Sequence, residues 1–111
     1  MWFLSYGHEH VVLIINKMSQ ELFDKAAQAC TDYGKSGGSM SNDQALAIYC
    51  RFKQATVGDV NTDRPGLFDQ KGRAKWDAWS AIKGKSKEEA MTEYIDLAKQ
   101  YVSEEFASRI A

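Results

Sequence analysis

Helical punctuation governs this sequence. Apolar residues recur at three- and four-residue steps in four segments, and polar caps or glycines bound each segment. Ser19 is read as the cap of a first helix that runs to Tyr33, with Leu22, Phe23, Ala26, Ala27 and Cys30 on one face and Gly34 as its stop. A Gly/Ser-rich connection reaches Ser41. Ser41-Asn42-Asp43-Gln44 has the form of a capping box and opens a second helix through Leu46, Ile48, Tyr49, Phe52 and Lys53 to Val57, before Gly58. A third helix is predicted from Arg73 to Lys83, with Trp76, Trp79 and Ile82 toward the core and Gly84 ending it. Ser86-Lys87-Glu88-Glu89 is another capping box. It starts a longer fourth helix with Met91, Tyr94, Ile95, Ala98, Val102 and Phe106 along one stripe. The pattern predicts an all-α, four-helix domain.

The chain has 111 residues, enough for one small domain with its own core. A net charge of −1 provides no global field for nucleic acid or an anionic membrane, so any anion site must be a local cluster of lysines. Cys30 and Cys50 have no Cys or His at metal-ligand spacing and read as two buried reduced thiols, with a disulfide as the alternative. No apolar stretch approaches the ~20 residues of a membrane span.

Residues 1–17 differ in character from the rest. Met1-Trp2-Phe3-Leu4-Ser5-Tyr6 and Val11-Val12-Leu13-Ile14-Ile15 are apolar, yet no positive charge precedes Val11 as a signal peptide would require. They are read as an N-terminal extension of unknown role, whose apolar residues need a surface such as the bundle or a second copy, followed by a domain over residues 18–111 that starts at a second methionine, Met18.

The chemistry concentrates between Tyr49 and Trp79. Tyr49 and Lys53 stand four residues apart and share a helix face, with Phe52 beside them; Lys71 and Lys75 repeat the spacing. If the two faces converge, ammonium groups surround one point next to aromatic rings. Such a cluster suits a phosphate, through charge-assisted hydrogen bonds, lying beside a planar base. The same spacing also describes a plain solvated helix face with aromatic residues in the core, and spacing alone leaves both readings open. Between the two segments lies Gly58 to Gly72, an aperiodic loop of a length that usually has a purpose.

The run Lys53-Gln54-Ala55-Thr56-Val57-Gly58-Asp59, Asn61-Thr62-Asp63-Arg64-Pro65-Gly66 and Lys71-Gly72-Arg73-Ala74-Lys75-Trp76-Asp77-Ala78-Trp79 closely resembles the acyl-coenzyme A-binding protein family. The resemblance extends from about Ser19 to Val102. It implies an up-down-down-up four-helix bundle with a shallow bowl on one side. It also implies that Tyr49 and Lys53 hold the region of the adenosine 3′-phosphate and that Phe52 keeps a ring for the adenine without the family's hydroxyl. Lys71 and Lys75 would bind phosphates, Tyr94 would line the nucleotide, and Phe23 and Ala27 would lie near the ligand. Cys50 and Arg51, inside the same helix-two run, are assigned to the ligand with them. One departure is Thr31, where the family commonly has a lysine; Lys35 in the longer connection that follows is a candidate substitute.

The implied function is that of a non-enzymatic, cytoplasmic carrier that binds medium- to long-chain fatty acyl-CoA and buffers or transports it for lipid metabolism. Its acyl tail would lie in an apolar groove among helices one, two and three. Acyl-CoA is its ligand rather than a cofactor, and no metal site is expected. An enzyme is disfavoured because His8 and His10 are the only histidines, both in the extension, and no nucleophile has an evident base partner. As a metal pair they lack a third ligand. The expected state is a monomer without nucleic-acid partners or stable membrane insertion, with the extension as a candidate for association.

Overall fold

A computed structural model describes the backbone of residues 2–111 and the side chains of residues 17–111. Docking of the extension and the His8–His10 pair therefore lie outside the described residues. Five helices follow in order: α1 (Trp2–Lys35), α2 (Asn42–Thr56), α3 (Gln70–Ala81), α4 (Lys87–Tyr101) and the short α5 (Glu104–Ala107).

The caps behave as their chemistry requires, with one exception. Ser41 accepts from the Gln44 N–H at 3.1 Å while the Gln44 side chain accepts from the Ser41 N–H at 3.0 Å. Ser86 accepts from the Glu89 N–H at 3.1 Å. At the end of α2, Gly58 takes φ 99° and its N–H reaches the Lys53 carbonyl at 3.2 Å. Ser19 is the exception, because α1 runs through it for 34 residues. No glycine or proline breaks the chain there, and Lys17, Met18, Gln20 and Glu21 are good helix formers, so the serine has no preceding turn to cap. Helix α3 begins three residues ahead of the sequence reading, because Asp69 accepts from the Gly72 N–H at 3.0 Å and caps it.

Side-chain pairings set the topology. Tyr49 meets Lys75 and Lys53 meets Trp79, so α2 and α3 run parallel. Arg51 pairs with Glu93 and Gln54 with the Lys85 carbonyl, so α4 runs antiparallel to α2. Passing from Phe23 to Tyr33, α1 moves from Tyr94 to Phe106 and thus runs with α4. This is the up-down-down-up order.

The core is built by Phe23, Ala26, Ala29, Ala55, Ala90, Tyr94, Ile95, Ala98, Val102, Phe106 and Ile110. Fully buried alanines on α1 and α4 let the two backbones approach closely. The fourth helix is shorter than its apolar stripe. Val102 turns extended, α5 folds Phe106 edge-on to Tyr33 at 5.7 Å, and Lys25 donates to the Ala111 carbonyl at 3.0 Å. The C-terminal segment thereby closes over α1. Among the described residues, no helix is long and apolar enough to cross a membrane.

Candidate functional site

Helix α2 carries Tyr49, Phe52, Lys53 and Thr56 on one stripe by their spacing of three, four and seven. Phe52 completes a trio of rings. It stacks on Phe23 at 5.7 Å and 17°, and Tyr94 tilts against Phe23 at 5.0 Å and against Phe52 at 5.8 Å. Phe23 and Tyr94 are buried, whereas Phe52 is 38% exposed and offers its outer surface to a planar ligand. Burial pushes the Tyr94 phenol well above its usual range, helped by the charge and hydrogen bond of Cys30. Burial also raises the Cys30 thiol, partly offset by that same bond. Both cysteines are free, with Cys50 buried and Cys30 half-buried.

Beside the rings, a cavity of ≈ 370 Å³ opens between α1 and α2. Its walls are Gln20, Phe23, Asp24, Ala27, Gln28, Thr31, Phe52 and Thr56. Thr31 and Thr56 donate their hydroxyls to the Ala27 and Phe52 carbonyls at 3.0 and 2.8 Å, leaving lone pairs as acceptors. The sequence reading missed Gln20, Asp24, Gln28 and Thr56. Their i, i+4 spacing from one another or from Phe52 was the available signal.

Along the Tyr49–Lys53 edge of the same stripe, α2 faces α3. The Lys53 ammonium lies 5.4 Å from the Trp79 ring centre, and the Lys75 ammonium 5.3 Å from that of Tyr49. Both charges thus sit in one seam, each over an aromatic face. A groove of ≈ 390 Å³ continues along the seam toward the N-termini of both helices. It is lined by Asn42, Ala45, Leu46, Gln70, Lys71, Ala74 and Lys75, all from α2 and α3 among the described residues. Among the described residues, no carboxylate comes within ion-pair reach of Lys53, Lys71 or Lys75. Their charge is free for an incoming anion.

Two assigned residues lie elsewhere. Cys50 is 3% exposed and its thiol donates to the Ala47 carbonyl. The Arg51 guanidinium lies 3.1 Å from Glu93, which Lys85 also engages. At roughly 100° per residue, positions 50 and 51 turn away from the Tyr49–Lys53 stripe, and they face the α4 side. The hydrogen bond from Lys85, followed by that from Arg51, holds the Glu93 carboxyl below the usual range. Neither residue presents a polar group to the seam. Lys35, which ends α1, shows no contact that puts it there.

The arrangement suits an anion bound beside a planar ring. Three unpaired cations, an exposed ring over a polar cavity and an apolar groove adjoin one another along α2. Among the described residues, no group of His, Cys, Asp or Glu could hold a metal ion. The family model for acyl CoA binding protein matches residues 20–98.

The chain belongs to the acyl-CoA-binding protein family. Acyl-CoA-binding domain-containing protein 1 of Oryza sativa subsp. japonica is 60% identical over 70 residues, covering 63% of this chain and 77% of that protein. The crystal structure of Oryza sativa acyl-CoA-binding protein 2 superimposes with a TM-score of 0.66 at 47% identity, over 81% of this chain and 97% of that one. The acyl-CoA-binding protein of Moniliophthora perniciosa gives 0.67 at 38% identity, over 82% and 91%.

In this member of the acyl-CoA-binding protein family, much of the long motif is scaffold. Gln54, 1% exposed, donates to Asp59 at 2.9 Å and to the Lys85 carbonyl at 2.7 Å. Asp59 also accepts from the Gly84 N–H, the main cause of its lowered pKa. Trp79 donates to the Gly58 carbonyl and Trp76 to that of Thr62, both at 2.8 Å. Trp76 is therefore a half-buried loop fastener rather than a core residue. Arg64 and Asp77 add a two-pronged ion pair at 2.9 and 2.8 Å. These bonds hold the long loop against α3, which carries Lys71 and Lys75.

Proposed function

We propose that this chain is a non-enzymatic carrier of medium- to long-chain fatty acyl-CoA that buffers and transports these esters in the cytoplasm. The observation that carries the reading is the trio of unpaired lysines between a polar aromatic cavity and an apolar groove. A base takes the outer face of Phe52, in the cavity that α1 lines with Phe23 and Ala27. The 3′-phosphate goes to Lys53 and the Tyr49 hydroxyl, and the remaining phosphates to Lys71 and Lys75. Tyr94 supports Phe52 from beneath. The acyl chain runs along the α2–α3 groove. Residues 18–111 are the binding unit, a monomer without nucleic-acid partners, and residues 2–17 form the N-terminal half of α1.

Calorimetric titration with acyl-CoA of increasing chain length tests this. Each methylene placed between α2 and α3 should add about 0.8 kcal/mol. The gain should flatten once the chain passes the Asn42 and Gln70 end, about two helical turns or ~11 Å from Tyr49. Equal affinity for short and long chains would remove the groove from the site.

A further inference from the structure

Two large apolar side chains stand in water at the end of this groove. Leu67 is 72% exposed and Phe68 103%. They precede Asp69, the cap of α3, and Phe68 is two residues from Gln70 in the groove wall. Because α2 and α3 are parallel, the groove ends at their shared N-terminal end, where Asn42 and Gln70 line it and the Leu-Phe pair leads into α3. Their exposure does not come from a loose loop. Trp76, Trp79 and Arg64 fasten it upstream, and the Asp69 N–H closes a turn on the Gly66 carbonyl at 3.1 Å. Neither side chain is among the residues that line the groove. Charge at the tip is nearly balanced. Arg64 and Asp77 pair with each other, Asp63 and the cap Asp69 carry negative charge, and Lys71 and Arg73 carry positive charge, Lys71 without a carboxylate partner among the described residues.

An apolar pair at the tip of a fastened loop, beside the groove proposed for the acyl chain and near Lys71, which has no carboxylate partner among the described residues, matches the interfacial zone of a bilayer. We infer that Leu67 and Phe68 form a docking tip that seats the groove mouth on a lipid membrane, so that an acyl chain passes between bilayer and groove without crossing water. The inference rests on the carrier reading, and its test separates the two.

Full-length protein and the Leu67→Ser/Phe68→Ser variant are mixed with phosphatidylcholine vesicles holding a minor fraction of phosphatidylglycerol. Ligand-free protein is assayed by co-sedimentation. Uptake of palmitoyl-CoA from the same vesicles is followed by stopped flow. Affinity for soluble dodecanoyl-CoA is measured separately. The expected result is a loss of about tenfold or more in both vesicle readouts, from two side chains that no longer leave water. The melting temperature and dodecanoyl-CoA affinity of the variant should match the wild type. Equal vesicle binding and uptake would overturn the proposal. So would a loss of dodecanoyl-CoA affinity in the variant, which would mean that the pair folds over the chain, or wild-type self-association abolished by the substitutions. A wild type that fails to bind dodecanoyl-CoA yet sediments with vesicles only when the pair is intact would refute the carrier reading and support the tip.

Discussion

Replacing Lys53 by methionine tests the binding seam at one atom. The substitution keeps an unbranched stem against α3 and removes only the charge. In the free protein that charge rests 5.4 Å from the centre of Trp79 and has no carboxylate partner among the described residues. A charge-assisted hydrogen bond to a phosphate is worth about 1.5–3 kcal/mol. Drawing the ammonium off the indole returns roughly 0.5–1 kcal/mol of cation–π attraction. The net loss on Lys53→Met is then about 1–2 kcal/mol, or roughly 5- to 30-fold in Kd. Isothermal titration with dodecanoyl-CoA measures it. A parallel titration with the 3′-dephospho analogue identifies the contact, because the variant and wild type should then differ little. A Kd within about twofold of wild type would remove Lys53 from the site. An equal loss for both ligands would show that Lys53 does not read the 3′-phosphate.

Other predictions follow from the packing. Phe23→Ala removes a ring that is 4% exposed and touches both Phe52 and Tyr94; urea denaturation should show a loss of about 3–5 kcal/mol. Gln54→Leu leaves the Lys85 carbonyl and Asp59 without a shared donor; the expected cost is about 1–3 kcal/mol, with faster amide exchange at Gly58 and Gly84. The Glu93 carboxyl is depressed by Lys85 and Arg51. A depressed folded-state value means that its stabilisation is present above the ordinary glutamate value of ~4.3 and is lost as pH falls through the folded value. Melting temperature should therefore drop more steeply in acid for wild type than for Glu93→Gln, and parallel curves would contradict the assignment.

Local signals located most of the helices. Ser41 with Gln44 and Ser86 with Glu89 are satisfied within one turn, so their chemistry is complete in a few residues of chain. The same holds for Gly58, whose positive φ ends α2. Ser19 misled because an N-cap acts only where non-helical chain precedes it, and α1 runs through Ser19. That Tyr49 and Lys53 share a helix face was visible as i, i+4 spacing, whereas the pairings of Lys53 with Trp79 and of Lys75 with Tyr49 cross between helices and were not.

What the sequence determined by itself is therefore short-range: where helices begin and end, which residues share a stripe, and which family the motif belongs to. Tertiary structure decided which stripe meets which. Parallel packing of α2 and α3 put Lys53 over Trp79 and Lys75 over Tyr49, while the same helix turned Cys50 and Arg51 toward α4. It also bent the stripe of α4 at Val102 so that Phe106 and Ile110 close over α1. Those outcomes depend on contacts between residues far apart in the chain. Their energies are settled only when all the helices compete for the same apolar surface.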